Sequence, residues 1–236
     1  MLLPNTDPEA FSILLDLMHC RTQEVPTAVT FDELVELAVQ VNYFKCHGAL
    51  GLYPARWIEH LKAKRPNAYC DEIVKWIFVS VVFNDCEIYA SVTCLAIRQS
   101  KDIINTLDLP IPLSVTGTIN LERKGLLKLL FRDVELRRHR LEAGEIICTA
   151  ECDSFRLGAL MKQMKTHGLP WPRENLDYKG LAPESVAKKI VEFEKPSSKL
   201  SCKGRCSGLL GPRAIEELIY HRTKLSGLIL LPEQWR

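Results

Sequence analysis

Four of the nine cysteines stand in two pairs, Cys148-x3-Cys152 and Cys202-x3-Cys206. Two thiolates a few residues apart can grip one metal ion from a short stretch of chain. Two such pairs supply the four soft ligands of a tetrahedral zinc site. Gly204 and Gly208 ease tight backbone around the second pair, and Lys203 and Arg205 offset thiolate charge. Four closed ligands leave no open coordination position, so the metal expected here is a structural zinc rather than a catalytic one. The competing reading is four unliganded thiols, because x3 spacing is less diagnostic than x2 and a long stretch separates the pairs. Cys20, Cys46, Cys70, Cys86 and Cys94 lie singly in helical or apolar stretches. Buried thiols behave as small hydrophobes, so these five are expected to pack.

Other chemistry is harder to find. The six histidines (His19, His47, His60, His139, His167 and His221) form no H-E-x-x-H motif, and the chain carries no G-x-S-x-G, P-loop or G-x-G-x-x-G. Cys46 and His47 are neighbours, but adjacent helical residues point apart and make a poor dyad. The expectation is a protein with no catalytic residues, not an enzyme. Arg137-Arg138-His139-Arg140, with Lys128 and Arg132 upstream, is a candidate nucleic-acid or acidic-partner patch. A solvated helix end is the plainer reading, since cations suit the negative end of a helix dipole and no aromatic ladder is interleaved.

The elements that would position these groups read as helices. Asp7 before Pro8 is a good helix start, and Phe11, Leu14, Leu15 and Met18 then recur on one face. Thr30 and Glu33 form a capping box ahead of Leu34, Leu37, Ala38 and Val41. A third helix carries Leu52, Trp57, Ile58 and Leu61. Tyr69 to Phe83 is apolar nearly all round, which predicts a central helix with Trp76 and Phe78 as core anchors. Asp85 opens another helix, with Ile88, Val92, Leu95 and Ala96 inward. Leu109-Pro110-Ile111-Pro112 must break helix. A long helix follows from about Thr118 to Arg140. Leu157, Leu160, Met161 and Met164 mark the next helix, Glu184 to Glu192 a short one, and Pro212 to about Lys224 the last. No strand alternation or internal repeat appears, so the predicted fold is all-α.

Hydrophobic residues at 47% and charged residues at 25% allow a real core. The 31 Lys and Arg against 29 Asp and Glu leave a net charge of +2, with no global pull toward nucleic acid. The longest near-apolar run, Ile73 to Phe83, contains Lys75 and falls far short of the roughly 20 residues of a membrane span. With no secretory leader at Met1 and an odd number of cysteines, the expected location is intracellular, in cytoplasm or nucleus, with no membrane partner.

The stretch from Asp7 to about Leu61 resembles the back half of a fungal BTB/POZ domain. It carries Thr6-Asp7-Pro8-Glu9-Ala10-Phe11, then Leu37-Ala38-Val39-Gln40-Val41-Asn42-Tyr43-Phe44 and Trp57-Ile58. Later segments resemble the helical extension of uncharacterised fungal proteins of this type. The points of likeness are Trp76-Ile77-Phe78, Val92-Thr93, Ile97-Arg98-Gln99-Ser100, Leu109-Pro110-Ile111-Pro112, Cys148-x3-Cys152-Asp153, Leu157-Gly158 and Gly168-Leu169. Related proteins carry a His-x-Cys near the second cysteine pair; Gly204 falls at that His, and Cys202 substitutes for it. The resemblance implies three regions: residues 1–63 as the C-terminal half of a BTB/POZ-like domain, 64–140 as a helical extension, and 141–236 as a Cys-containing helical region. It also implies a protein-interaction module with a partner of unknown identity; the alternatives are a zinc-stabilised module contacting nucleic acid through the basic helix end and a non-functional truncated remnant. In the wider family such modules serve as adaptors, including substrate receptors of cullin-type ubiquitin ligases. Leu2-Leu3-Pro4 resembles the tail of the last sheet strand, with the strand-rich first half missing. Dimerisation through the usual BTB surface is therefore not expected. The apolar face which that half would cover should instead be exposed, inviting a partner or aggregation.

Overall fold

The computed structural model describes residues 7–145, 149–171 and 178–193. Over these residues the protein is all-α, with eight α-helices and no strand among the described residues. The helices are α1 (Pro8–Met18), α2 (Phe31–Phe44), α3 (Tyr53–Leu61), α4 (Asp71–Val82), α5 (Cys86–Gln99), α6 (Leu113–Glu142), α7 (Ala150–Thr166) and α8 (Pro183–Val191). Leu2-Leu3-Pro4, Cys148, Cys202, Cys206 and the helix expected from Pro212 lie outside the described residues.

The chain divides into two compact units. Among the described residues the first holds 7–96 and 104–119, and the second holds 97–103 and 120–193. The basic stretch at Lys62 runs inside the first unit as a short 3-10 turn, Lys62–Lys64.

In the first unit the helix starts follow local chemistry. Asp7 caps α1, its Oδ1 accepting the Ala10 N–H at 2.8 Å, with Pro8 at the first helical position. The capping box at α2 closes in both directions: Glu33 N–H donates to Thr30 Oγ1 at 3.3 Å and Thr30 N–H to Glu33 Oε2 at 2.6 Å. Lys45 ends α2 in the left-handed conformation, φ 54°. Helix α2 packs on both α1 and α4. Gln40 donates to the Asp7 carbonyl at 3.1 Å, and Phe31 stacks on Trp76 with ring centroids 4.5 Å apart. Helix α4 is buried from Ile73 to Val82 apart from Lys75, which reaches Asp32 at 2.8 Å. Leu14, Leu37 and Trp57 are core residues, whereas Leu15 is only half-buried. Leu52 caps α3 from outside the core and is exposed.

The second unit is built on α6. Leu127, Leu130, Phe131 and Val134 of α6 pack with Leu160 and Met164 of α7, Val186 and Ile190 of α8, and Phe193. Helix α6 starts at Leu113, directly after Pro112, rather than near Thr118. Thr116, Gly117 and Thr118 are poor helix formers, which masks the first turns of this helix in the sequence. In α7, Met161 is 47% exposed instead of inward, while Asp153 and Arg156 are buried.

Candidate functional site

Of the four cysteines expected to bind zinc, Cys152 is the one within the described residues, and it is buried. It occupies the first turn of α7, where its N–H donates to the capping Thr149 Oγ1 at 3.2 Å. Among the described residues no group of three or more His, Cys, Asp or Glu converges as a metal site.

Of the five single cysteines expected to pack, Cys20, Cys70 and Cys86 are instead exposed, and Cys46 and Cys94 are half-buried. The Cys46–His47 pair sits between α2 and α3. Burial pushes the Cys46 thiol up, and burial together with Lys45 pushes the His47 imidazole down. A reactive cysteine needs the opposite arrangement, a lowered thiol beside an imidazolium.

The basic end of α6 is internally neutralised. Arg138 donates to both oxygens of Glu142 at 2.6 Å and also bonds Glu135; Arg137 meets Asp133 at 3.3 Å. Arg140 meets Glu145 at 2.7 Å, and His139 lies 3.0 Å from Glu135. Hydrogen bonding from Arg138 holds the Glu135 carboxyl below its ordinary value. Pairs three and four residues apart on a helix stabilise it modestly. The sequence displays the cations as a run; the carboxylates that answer them stand one turn away on either side.

The feature in the first unit that does not belong to a core is an apolar face. Phe11, Leu15 and Met18 share one side of α1, about 100° round the helix from the buried Ala10, Leu14 and Leu17. The Phe11 ring lies 5.8 Å from that of Phe44 at the end of α2, and Tyr43 meets Phe44 edge-on at 5.0 Å. Met18 is 51%, Tyr43 49% and Phe44 37% exposed. Scattered surface hydrophobes need no explanation, but here the rings of Phe11, Tyr43 and Phe44 touch one another, with Met18 further along the same side of α1. The surface carries aromatic rings and a methionine, residue types enriched in protein-binding patches.

Among the described residues no helix is long and apolar enough to cross a membrane. No family model, curated protein or solved structure matches this chain.

Proposed function

We propose that this chain is a non-enzymatic protein–protein interaction module of the BTB/POZ type, an adaptor that works inside the cell. The observation that carries this reading is the exposed face of Phe11, Met18, Tyr43 and Phe44 on α1 and α2. It lies within the segment that resembles the back half of a BTB domain, and it offers rigid aromatic surface with few polar groups to desolvate. Nine cysteines, an odd number, suit a reducing compartment. The rival reading, nucleic-acid contact through Arg137 to Arg140, is weakened by the ion pairs described above. A guanidinium already bound to carboxylates must give them up to neutralise phosphate.

The test is affinity capture with the full chain, comparing the natural sequence with Tyr43→Ser/Phe44→Asp. Both positions are half-exposed, so helix content should hold by circular dichroism while captured proteins are lost. Capture that is unchanged in the variant removes this face from the function.

Structural zinc at Cys148, Cys152, Cys202 and Cys206 is part of the proposal. Elemental analysis of the full chain should find about one zinc per chain, as a four-thiolate site demands. The metal should be released by Cys152→Ser, because binding energy at such a site is folding energy. Full-chain protein that holds no zinc after purification without chelators makes these ordinary thiols.

A further inference from the structure

Helix α7 ends in a way that builds a groove. Gly168 takes φ 62°, the left-handed conformation; its N–H donates to the Lys165 carbonyl at 3.1 Å, and the Leu169 N–H to the Met164 carbonyl at 2.9 Å. This is the Schellman arrangement, in which the residue after the glycine packs back on the last turn of its own helix. Leu169 accordingly joins Met164 in the core of the second unit. Pro170 cannot continue a helix, and the chain turns to place Trp171 beside the same turn. The Arg138 guanidinium lies over the Trp171 ring, 5.8 Å from its centroid.

The result is a groove of about 530 Å³ lined by Met161, Lys162, Met164, Lys165, Leu169 and Trp171. Its floor is thioether, leucine and indole. Met161 and both lysines are exposed. Among the described residues that line it, the charged ones are both cations. Nearby Glu135 and Glu142 are bound to Arg138, so they do not cancel the two lysines.

We propose that this groove seats an acidic amphipathic helix of a partner protein. The proposal deepens the interaction reading above and rests on it, but places a second contact on the other unit. The groove is open along one side, whereas small molecules are taken by cavities that bury most of their surface. An amphipathic helix needs just such an apolar trough, reading it with residues spaced three and four apart. Methionines repack around varied apolar anchors, and Trp171 provides a rigid wall. Lys162 and Lys165 stand one turn apart on α7, matching carboxylates one turn apart on the visitor. A basic helix would meet like charge at both positions.

Four methionines in the whole chain make the test direct. The full chain is labelled at the methionine methyl groups and titrated with a synthetic peptide. The peptide carries Leu at positions i, i+3, i+4 and i+7, with Glu at the remaining positions. The methyl signals of Met161 and Met164 should shift saturably, while that of Met18, on the first unit's apolar face, stays in place. Lys162→Glu/Lys165→Glu should weaken binding about tenfold or more. Equal shifts with a peptide in which Lys replaces every Glu overturn the proposal, as does undiminished binding to the double variant. Laurate that moves Met161 and Met164 when the peptide does not makes the groove an acyl site and overturns it too. If the peptide moves Met18 alone, the groove fails while the interaction reading survives. Failure of that reading is seen separately, in the capture experiment with Tyr43→Ser/Phe44→Asp.

Discussion

Trp57→Ala should cost the first unit about 3–5 kcal/mol, enough to lower its unfolding midpoint by more than about 10 °C. Trp57 is 0% exposed, and its indole N–H donates to the Pro26 carbonyl at 3.0 Å. One side chain therefore fills the core beneath α3 and ties down the loop between α1 and α2. A comparison of the two tryptophan-to-phenylalanine variants separates these roles. Trp57→Phe loses volume and also strips the Pro26 carbonyl of its donor, an added cost of about 1 kcal/mol. Trp76 is equally buried and stacks on Phe31, but its Nε1 has no hydrogen-bond partner among the described residues. Trp76→Phe keeps an aromatic ring against Phe31 and removes a polar atom that was buried without compensation. It should be the milder change of the two. Guanidinium denaturation of each variant decides it. A Trp76→Phe loss equal to or greater than that of Trp57→Phe would mean that hydrogen bonding to Pro26 contributes nothing.

The all-α fold was legible because its signals are local. Asp7 with Pro8, and Thr30 with Glu33, announce helix starts through bonds that span three residues, and a sequence displays that range directly. The apolar run of α4 announces burial because little else can be done with Ile73 to Val82 except cover it. Signals fail where the deciding contact is distant. Leu113 to Thr118 holds two threonines and a glycine, so local propensity hides turns that exist because Val115 and Ile119 are buried. Met161 repeats at helical spacing with Leu157 and Met164, yet it stands at the edge of the face and lines a groove. Nothing in the spacing distinguishes a core methionine from a groove methionine; the reversal at Gly168 does, and its sequence mark is Gly168-Leu169-Pro170. The run Arg137 to Arg140 reads as a solvated helix end, and it is one; the sequence does not show the pairing carboxylates as such, because they sit at helical offsets. The cysteine pairs read most sharply of all in the sequence. Of them, the described residues hold Cys152, and metal content rather than geometry is the measurement that bears on them.

Arg123 is the residue whose importance the sequence conceals most. Within Leu121-Glu122-Arg123-Lys124 it resembles any cation on the wet side of a helix. It is instead 1% exposed, and its guanidinium donates to the carbonyls of Lys101 at 3.1 Å, Tyr178 at 3.4 Å and Leu181 at 3.1 Å. All three bonds leave from one nitrogen, Nη1, which gathers backbone oxygens from two stretches of chain distant in sequence. Asp102 adds a neighbouring tie, its Oδ1 accepting the Gly180 N–H at 3.0 Å. Arg123→Ala should therefore destabilise the second unit by about 3 kcal/mol, through a cavity and three carbonyls without their donor. Arg123→Met keeps most of the aliphatic stem and isolates the polar share of that loss. Arg123→Lys should rescue part of the loss, because all three carbonyls gather round one nitrogen and a lysine ammonium carries three donors. Hydrogen exchange locates the effect: the Gly180 and Leu181 amides should exchange faster in the Met variant, with amides of α1 and α2 as the internal reference. If Arg123→Met is as stable as the natural chain and protects Gly180 equally, the loops are held by the packing of Tyr178 and Leu181 on the second unit's core, and the guanidinium only fills space.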